Sequence, residues 1–157
     1  MPEFENIVEQ YAAGIVRYCY NLLGCFHEAE DAMQDVFIRA YGGMGGVRDP
    51  GGLRGWLYRI AYNVCMDALR RKKRAKGLVD AAKAALEDSR PKHQGISDEL
   101  QSALNAIKPA DRALFYSRAV DGLDYSELAK IHKAPAATLR KRYERARKKL
   151  AELLKEE

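Results

Sequence analysis

Cations are the chemistry this sequence offers most plainly, and they are bunched. Residues 140–149, RKRYERARKK, carry seven Lys or Arg against one acid, Glu144; residues 70–76, RRKKRAK, carry six and no acid. Such runs neutralise a polyanion. Near the start of a helix, Arg and Lys can also donate to guanine O6 and N7, and a Glu can accept from cytosine N4. A second set precedes the shorter run: Tyr58, Arg59, Tyr62 and Asn63 combine aromatic faces that stack on bases with an amide that reads a base edge. Acids collect elsewhere, four of them in HEAEDAMQD (27–35), which has no Lys or Arg. Covalent chemistry has little to work with: there is no Walker loop and no convincing nucleophile–base pair. Cys19, Cys25 and Cys65 form no C-x-x-C pair, and with His27 they lack a fourth ligand and metal-site spacing. The expectation is a nucleic-acid binder without catalysis, metal or cofactor, its thiols reduced in a cytoplasmic setting.

The elements that must carry these side chains are helices. The chain has 157 residues, nearly half of them apolar, and a net charge of +5. Phe4, Ile7, Val8, Tyr11, Ile15, Tyr18, Cys19 and Leu22 recur at helical spacing and predict a first helix that ends near Gly24. Ala29, Ala32, Met33, Val36, Phe37 and Ala40 mark a second, about 28–41. Trp56, Leu57, Ile60, Ala61, Val64, Ala68 and Leu69 mark a third, about 53–74, with Trp56 and Ile60 read as core. Residues 75–96 lose the period and read as a flexible linker. Beyond it come a short helix around Leu100–Ile107, another from Pro109 to about Val120, and YSELAKIH, opened by Asp124 and Glu127 at capping-box spacing. The last runs from about Ala136 to Leu153, on Leu139, Tyr143, Ala146 and Leu150. The fold class is therefore all-α, in two small helical domains, 1–74 and 97–157. Apolar stretches are broken by charge well short of a membrane span and no signal peptide is visible, so no membrane insertion is expected.

YGGMGGVRDPGGLRGW (41–56) holds seven of the twelve glycines between two strong helices. It is no phosphate-binding P-loop, since neither a strand nor Gly-Lys-Ser/Thr accompanies it. At the other end, a capped helix, a turn at Pro135 and a basic helix beginning AATLRKRYERARKK form the pattern of a helix-turn-helix.

Taken together, these segments resemble a known family. GLDYSELAKIHKAPAATLRKRYERARKKL is similar to region 4 of bacterial sigma factors. AEDAMQDVFIRAY and LRGWLYRIAYNVCMDALRRKKR resemble region 2. Two regions joined by a short linker look like the extracytoplasmic function group of the sigma-70 family. The resemblance implies a three-helix region-2 bundle, a region-4 helix-turn-helix domain, and core RNA polymerase and promoter DNA as partners. It also allows an anti-sigma factor as a partner. Asp31, Gln34, Asp35 and Arg39, with Phe37 at the edge, match the polymerase-docking helix. Tyr58, Arg59, Tyr62 and Asn63 match positions facing the single-stranded −10 element, Asn63 most directly. Arg70 and Arg71 would hold phosphates near the melted junction. The glycine loop, with Arg48 and Asp49, would border the extruded −10 base. For the duplex −35 element, Arg140 and Lys141 match the main groove-reading positions. Thr138, Glu144 and Arg145 stand beside them, Arg118 supports them, and Lys148 reaches phosphate. The pattern departs at Ala137, usually Gly, at Lys141, usually a small hydroxyl residue, and at Leu53, commonly Phe. Two other readings remain open: a stand-alone helix-turn-helix regulator, and a degenerate sigma-like protein that binds polymerase without opening promoters.

Overall fold

The computed structural model describes residues 3–44, 50–75 and 96–155, and every regular element within them is helical. The first group comprises α1 (Phe4–Leu23), α2 (Phe26–Gly43) and α3 (Leu53–Ala75), the last entered through a 3-10 turn at Pro50–Gly52. The second comprises α4 (Asp98–Asn105), α5 (Pro109–Ala119), α6 (Tyr125–His132) and α7 (Ala136–Lys155). Arg48, Asp49 and all but the ends of the segment read as a linker lie outside the described residues.

Local chemistry sets the boundaries. Gly24 takes a left-handed conformation (φ 74°) and returns its N–H to the Tyr20 carbonyl at 2.8 Å, which closes α1. The short turn that follows folds α2 back along α1, onto which α2 lays Ala29, Ala32, Val36 and Ala40 at spacings of three and four. Ser97 caps α4 by accepting from the Leu100 N–H at 3.1 Å, and Pro109 opens α5, where its missing N–H costs nothing. The capping box of α6 is complete. Asp124 Oδ1 accepts from the Glu127 N–H at 2.8 Å, and Glu127 Oε1 accepts from the Asp124 N–H at 3.0 Å.

The two groups share one hydrophobic core. Ile7, Ile15 and Tyr18 of α1 and Leu57 and Ala61 of α3 are buried in the same cluster as Leu114 and Tyr116 of α5, Leu128 and Ile131 of α6, and Leu139 of α7. A smaller cluster of Ala103, Leu104, Ile107 and Leu150 ties α4 to α7. α3 lies along α6 and α1 against α5.

Polar groups cross the same boundary. The Arg112 guanidinium, on α5, is only 7% exposed and donates to the Leu22 carbonyl at 2.9 Å and the Leu104 carbonyl at 3.4 Å. It thus places a cation at the C-terminus of α1, where the helix dipole favours one. Burial pushes its pKa down. Asn21 Nδ2 donates to Gln101 Oε1 at 3.1 Å.

Candidate nucleic-acid interface

α7 turns Leu139, Ala146 and Leu150 inward. Thr138, Arg140, Lys141, Glu144, Arg145 and Lys148 are all exposed on its outer side. Thr138, Lys141, Arg145 and Lys148 follow spacings of three and four and make one row; Arg140 and Glu144 start the next. Arg147 donates to Glu144 at 3.0 Å, and this bond holds the Glu144 carboxyl below its usual range. Tyr125, the first residue of α6, organises the head of this surface. The Arg118 and Arg140 guanidinium carbons each lie 4.9 Å from the centre of its ring, a cation–π arrangement. Arg118 is also fixed by donating to the Leu123 carbonyl at 2.9 Å. α5 and α7 thereby deliver two cations to one place. The sequence reading did not single out Tyr125, although an aromatic directly after the N-cap Asp124 was a usable signal.

On α3 the side chains fall into two stripes. Arg59, Asn63 and Arg70 form an exposed one, with Arg71 exposed beside it; Arg70 is ion-paired with Asp67. Arg54, Tyr58 and Tyr62, each four residues apart, form the other, and the second helical group covers it. Tyr58 is 4% exposed, its ring 5.0 Å from that of Tyr18 at 71°, its hydroxyl donating to Asp121. Gly14 makes room for that hydroxyl, since a Cβ there would stand 3.0 Å from it. Tyr62 meets His132 edge to face at 4.8 Å. Arg54 grips Glu127 with two parallel bonds, Nε to Oε2 at 2.8 Å and Nη2 to Oε1 at 2.7 Å. Trp56 and Ile60 are partly buried and pack against the core, Trp56 over Gly43.

Burial dominates the electrostatics of this covered stripe. It raises the Asp121 carboxyl to about 6, partly offset by the Tyr58 hydrogen bond and the Arg17 and Arg54 charges. It lowers His132 to about 4, with Arg142 acting in the same sense. Neither ring nitrogen of His132 has a hydrogen-bond partner among the described residues. The bond from Arg54 holds the Glu127 carboxyl below its usual range.

α2 shows a third surface. Asp31, Gln34 and Arg39 are exposed, and Asp35, half-buried, pairs with Arg39 at 3.3 Å. Phe37 lies elsewhere: it is 7% exposed, in the core, edge to face with Phe4 at 6.3 Å. The large apolar residues on the outside of this helix are Ile38 and Tyr41, each 70% exposed. Ile38 lay off the core stripe in the sequence and was the readable signal of an apolar surface. Cys19, Cys25 and Cys65 are buried free thiols. No helix among the described residues is long and apolar enough to cross a membrane.

Comparison with known proteins follows this geometry. The family model "Sigma-70 region 2" matches residues 7–75, and "Sigma-70, region 4" matches residues 97–150. The chain is 32% identical over 161 residues to the ECF RNA polymerase sigma factor SigE of Mycolicibacterium smegmatis, covering 98% of this chain and 62% of that protein. It is 30% identical over 167 residues to the ECF RNA polymerase sigma factor SigW of Bacillus subtilis, covering 98% of this chain and 89% of that one. Among solved structures, the sigma factor RpoE of Bartonella quintana, in complex with the anti-sigma factor NepR, superposes with a TM-score of 0.78 at 25% identity. That match covers 97% of this chain and 96% of the other, so both helical groups are included in the likeness.

Proposed function

The chain belongs to the extracytoplasmic function group of sigma-70 factors, and from that premise we propose that it is the specificity subunit that brings core RNA polymerase to promoters and helps to open them. Its family is one of transcription initiation factors rather than enzymes. The observation that carries the reading is the presence, in one chain, of two helices equipped for different forms of DNA. α7 exposes Arg140 and Lys141 on a stable helix-turn-helix, as duplex recognition in a major groove requires. α3 exposes Arg59, Asn63, Arg70 and Arg71, cations that hold single-strand phosphates and an amide that reads a base edge. Tyr58 and Tyr62, expected from sequence to stack on bases, are packed inward against Tyr18 and His132. A stand-alone regulator needs only the first.

In this reading α7 reads the −35 element, with Arg118 and Arg140 pre-positioned by Tyr125 and with Lys148 on phosphate. Thr138, Lys141, Glu144 and Arg145 complete the groove-facing set. α3 takes the non-paired −10 strand, with Asn63 reading an extruded base. No chemical step is needed: unstacking a base costs a few kcal/mol, which capture of that base offsets. Asp31, Gln34, Asp35 and Arg39 of α2 bind core polymerase, joined by Ile38 and Tyr41 as apolar anchors, while Phe37 supports the helix from beneath. An anti-sigma factor as a further partner is supported by the solved RpoE–NepR complex, whose sigma subunit this chain resembles along nearly its whole length. Reconstituted run-off transcription tests the proposal. Product is expected only when core enzyme and this chain are combined. Sequence-specific duplex binding without polymerase would instead mark a regulator, and polymerase binding without opening a degenerate sigma-like protein.

A further inference from the structure

The stripe Arg54–Tyr58–Tyr62 sets one guanidinium ahead of two aromatic rings at one-turn spacing, and region 4 packs against each of them, although Tyr58 is also held by Tyr18 of α1 and Arg54 stays 38% exposed. We propose that Arg54 is a promoter-phosphate contact and that Glu127 occupies it as an intramolecular stand-in for the phosphate, released when DNA competes. The proposal rests on the sigma-factor reading of the chain.

Four observations carry it. The Arg54–Glu127 contact is the two-bond fork that guanidinium groups make with carboxylates and phosphates alike, at 2.7 and 2.8 Å. Glu127 does not depend on Arg54 for its position, because the same Oε1 closes the capping box of α6 by accepting from the Asp124 N–H. Region 4 is thus a preformed anion presented to region 2. The cover matches the strip along its length: the Asp121 carboxylate accepts from Tyr58, and the His132 ring meets Tyr62 edge to face. Finally, the contact can be reached from outside. Arg54 is 38% exposed and borders an open cleft of about 480 Å³, lined also by Lys130 and Ser126 and by the acids Asp124 and Glu127. A phosphodiester can enter beside Lys130 and contest Arg54 before the apolar core between the groups has parted. The guanidinium side of the pair is the one within reach of solvent, 38% exposed against 14% for Glu127, so an entering anion meets Arg54 first.

Glu127→Gln and Arg54→Gln separate this device from a simple clasp. Either loses the ion pair, but in Glu127→Gln the amide oxygen can still complete the capping box. The full chain is titrated with a fluorescein-labelled, mixed-sequence 20-mer of single-stranded DNA over a range of KCl concentrations. Glu127→Gln is expected to tighten binding several-fold, because the competitor is gone. Arg54→Gln is expected to weaken it about tenfold, the order of one charge-assisted contact, and to shallow the salt slope by about 0.7, the value for one single-strand phosphate. The double variant should behave as Arg54→Gln. Arg54→Lys, the gentler change, should keep the slope while losing affinity. If both glutamine variants tighten binding, Arg54 is only a clasp and the proposal falls; if Glu127→Gln leaves affinity unchanged, Glu127 is no competitor and it falls equally. Core-dependent run-off by the unaltered chain is the separate check. Without it the sigma reading itself fails, whereas run-off with both variants moving together overturns only the role given to Arg54.

Discussion

Asp121 and His132 sit close together in the chain, and burial shifts both toward their neutral forms, with opposite consequences. Asp121 has its folded pKa raised to about 6, from 3.8. Its contribution to stability is fully present below about 3.8 and is lost as pH rises through 6. His132 has its folded pKa lowered to about 4, from 6.5. Its contribution is present above about 6.5 and is lost as pH falls through 4. Arg17 and Arg54 face the carboxylate and Arg142 the imidazole, so neither group titrates among neutral neighbours. Between pH 4 and 6.5 the two effects oppose each other, each amounting to up to about 3 kcal/mol at 1.36 kcal/mol per pKa unit. Thermal melts should therefore show a shallow pH dependence in the unaltered chain. Asp121→Asn should leave the His132 effect alone, so that Tm falls as the solution is acidified from pH 7 to pH 4. His132→Phe should do the reverse, with Tm rising over the same interval. Parallel profiles for the two variants would show that the pair does not set the dependence.

Among the elements, α1 and α7 carry the clearest consequences. α1 ends against a buried cation from α5, and among the described residues the hydrogen-bond acceptors of Arg112 are the Leu22 and Leu104 carbonyls. Arg112→Met keeps much of the volume but withdraws both hydrogen bonds, each to a charged donor. A loss of about 2–4 kcal/mol is expected, read as a lower urea midpoint at constant m-value. On α7, position along the helix separates two kinds of contact. Arg140→Ala should relax the sequence preference at the −35 element by about 1–3 kcal/mol at the base it reads. Lys148→Ala should weaken all sequences evenly and reduce the salt slope by about one. Binding of a randomised −35 library by the holoenzyme distinguishes them: an unchanged preference in the Arg140 variant counts against the groove assignment. Tyr125 matters for the same measurement, since its ring is what brings Arg118 and Arg140 together.

Across the whole molecule the unexpected property is a core shared by both groups of helices. Tyr18 of α1 lies 5.0 Å from Tyr58 of α3 and 6.4 Å from Tyr116 of α5, a three-ring contact that crosses from one group to the other. Such a chain should unfold as a unit. Trp56 fluorescence reports the first group and far-UV circular dichroism reports all the helices, so their urea transitions should coincide. Separate midpoints would show that the groups unfold independently.

Periodicity and capping signals made the elements legible from sequence. The stripes of α1, α2 and α3, the D-x-x-E box of α6 and the outward row of α7 follow from 3.6-residue repetition and local hydrogen bonding. Exposure of Arg59, Asn63, Arg140 and Lys141 was readable for the same reason, since each lies off an apolar stripe. Phe37, on the apolar stripe of α2, is buried as the period requires, whereas Tyr58 and Tyr62 show where that reasoning stops. A tyrosine one position away from an apolar stripe suits a solvent-facing strip or the seam between two packed groups equally well, and helical repetition has no term for the second group. Arg54 was invisible as a site until Glu127, 73 residues away, was found in its fork. Local sequence thus settled which helices form and which faces they offer, because those depend on neighbours three and four residues apart. Which faces stay open to a partner, and which are already covered by the chain's own acids, was decided by long-range packing, where the burial of apolar surface has no fixed sequence separation.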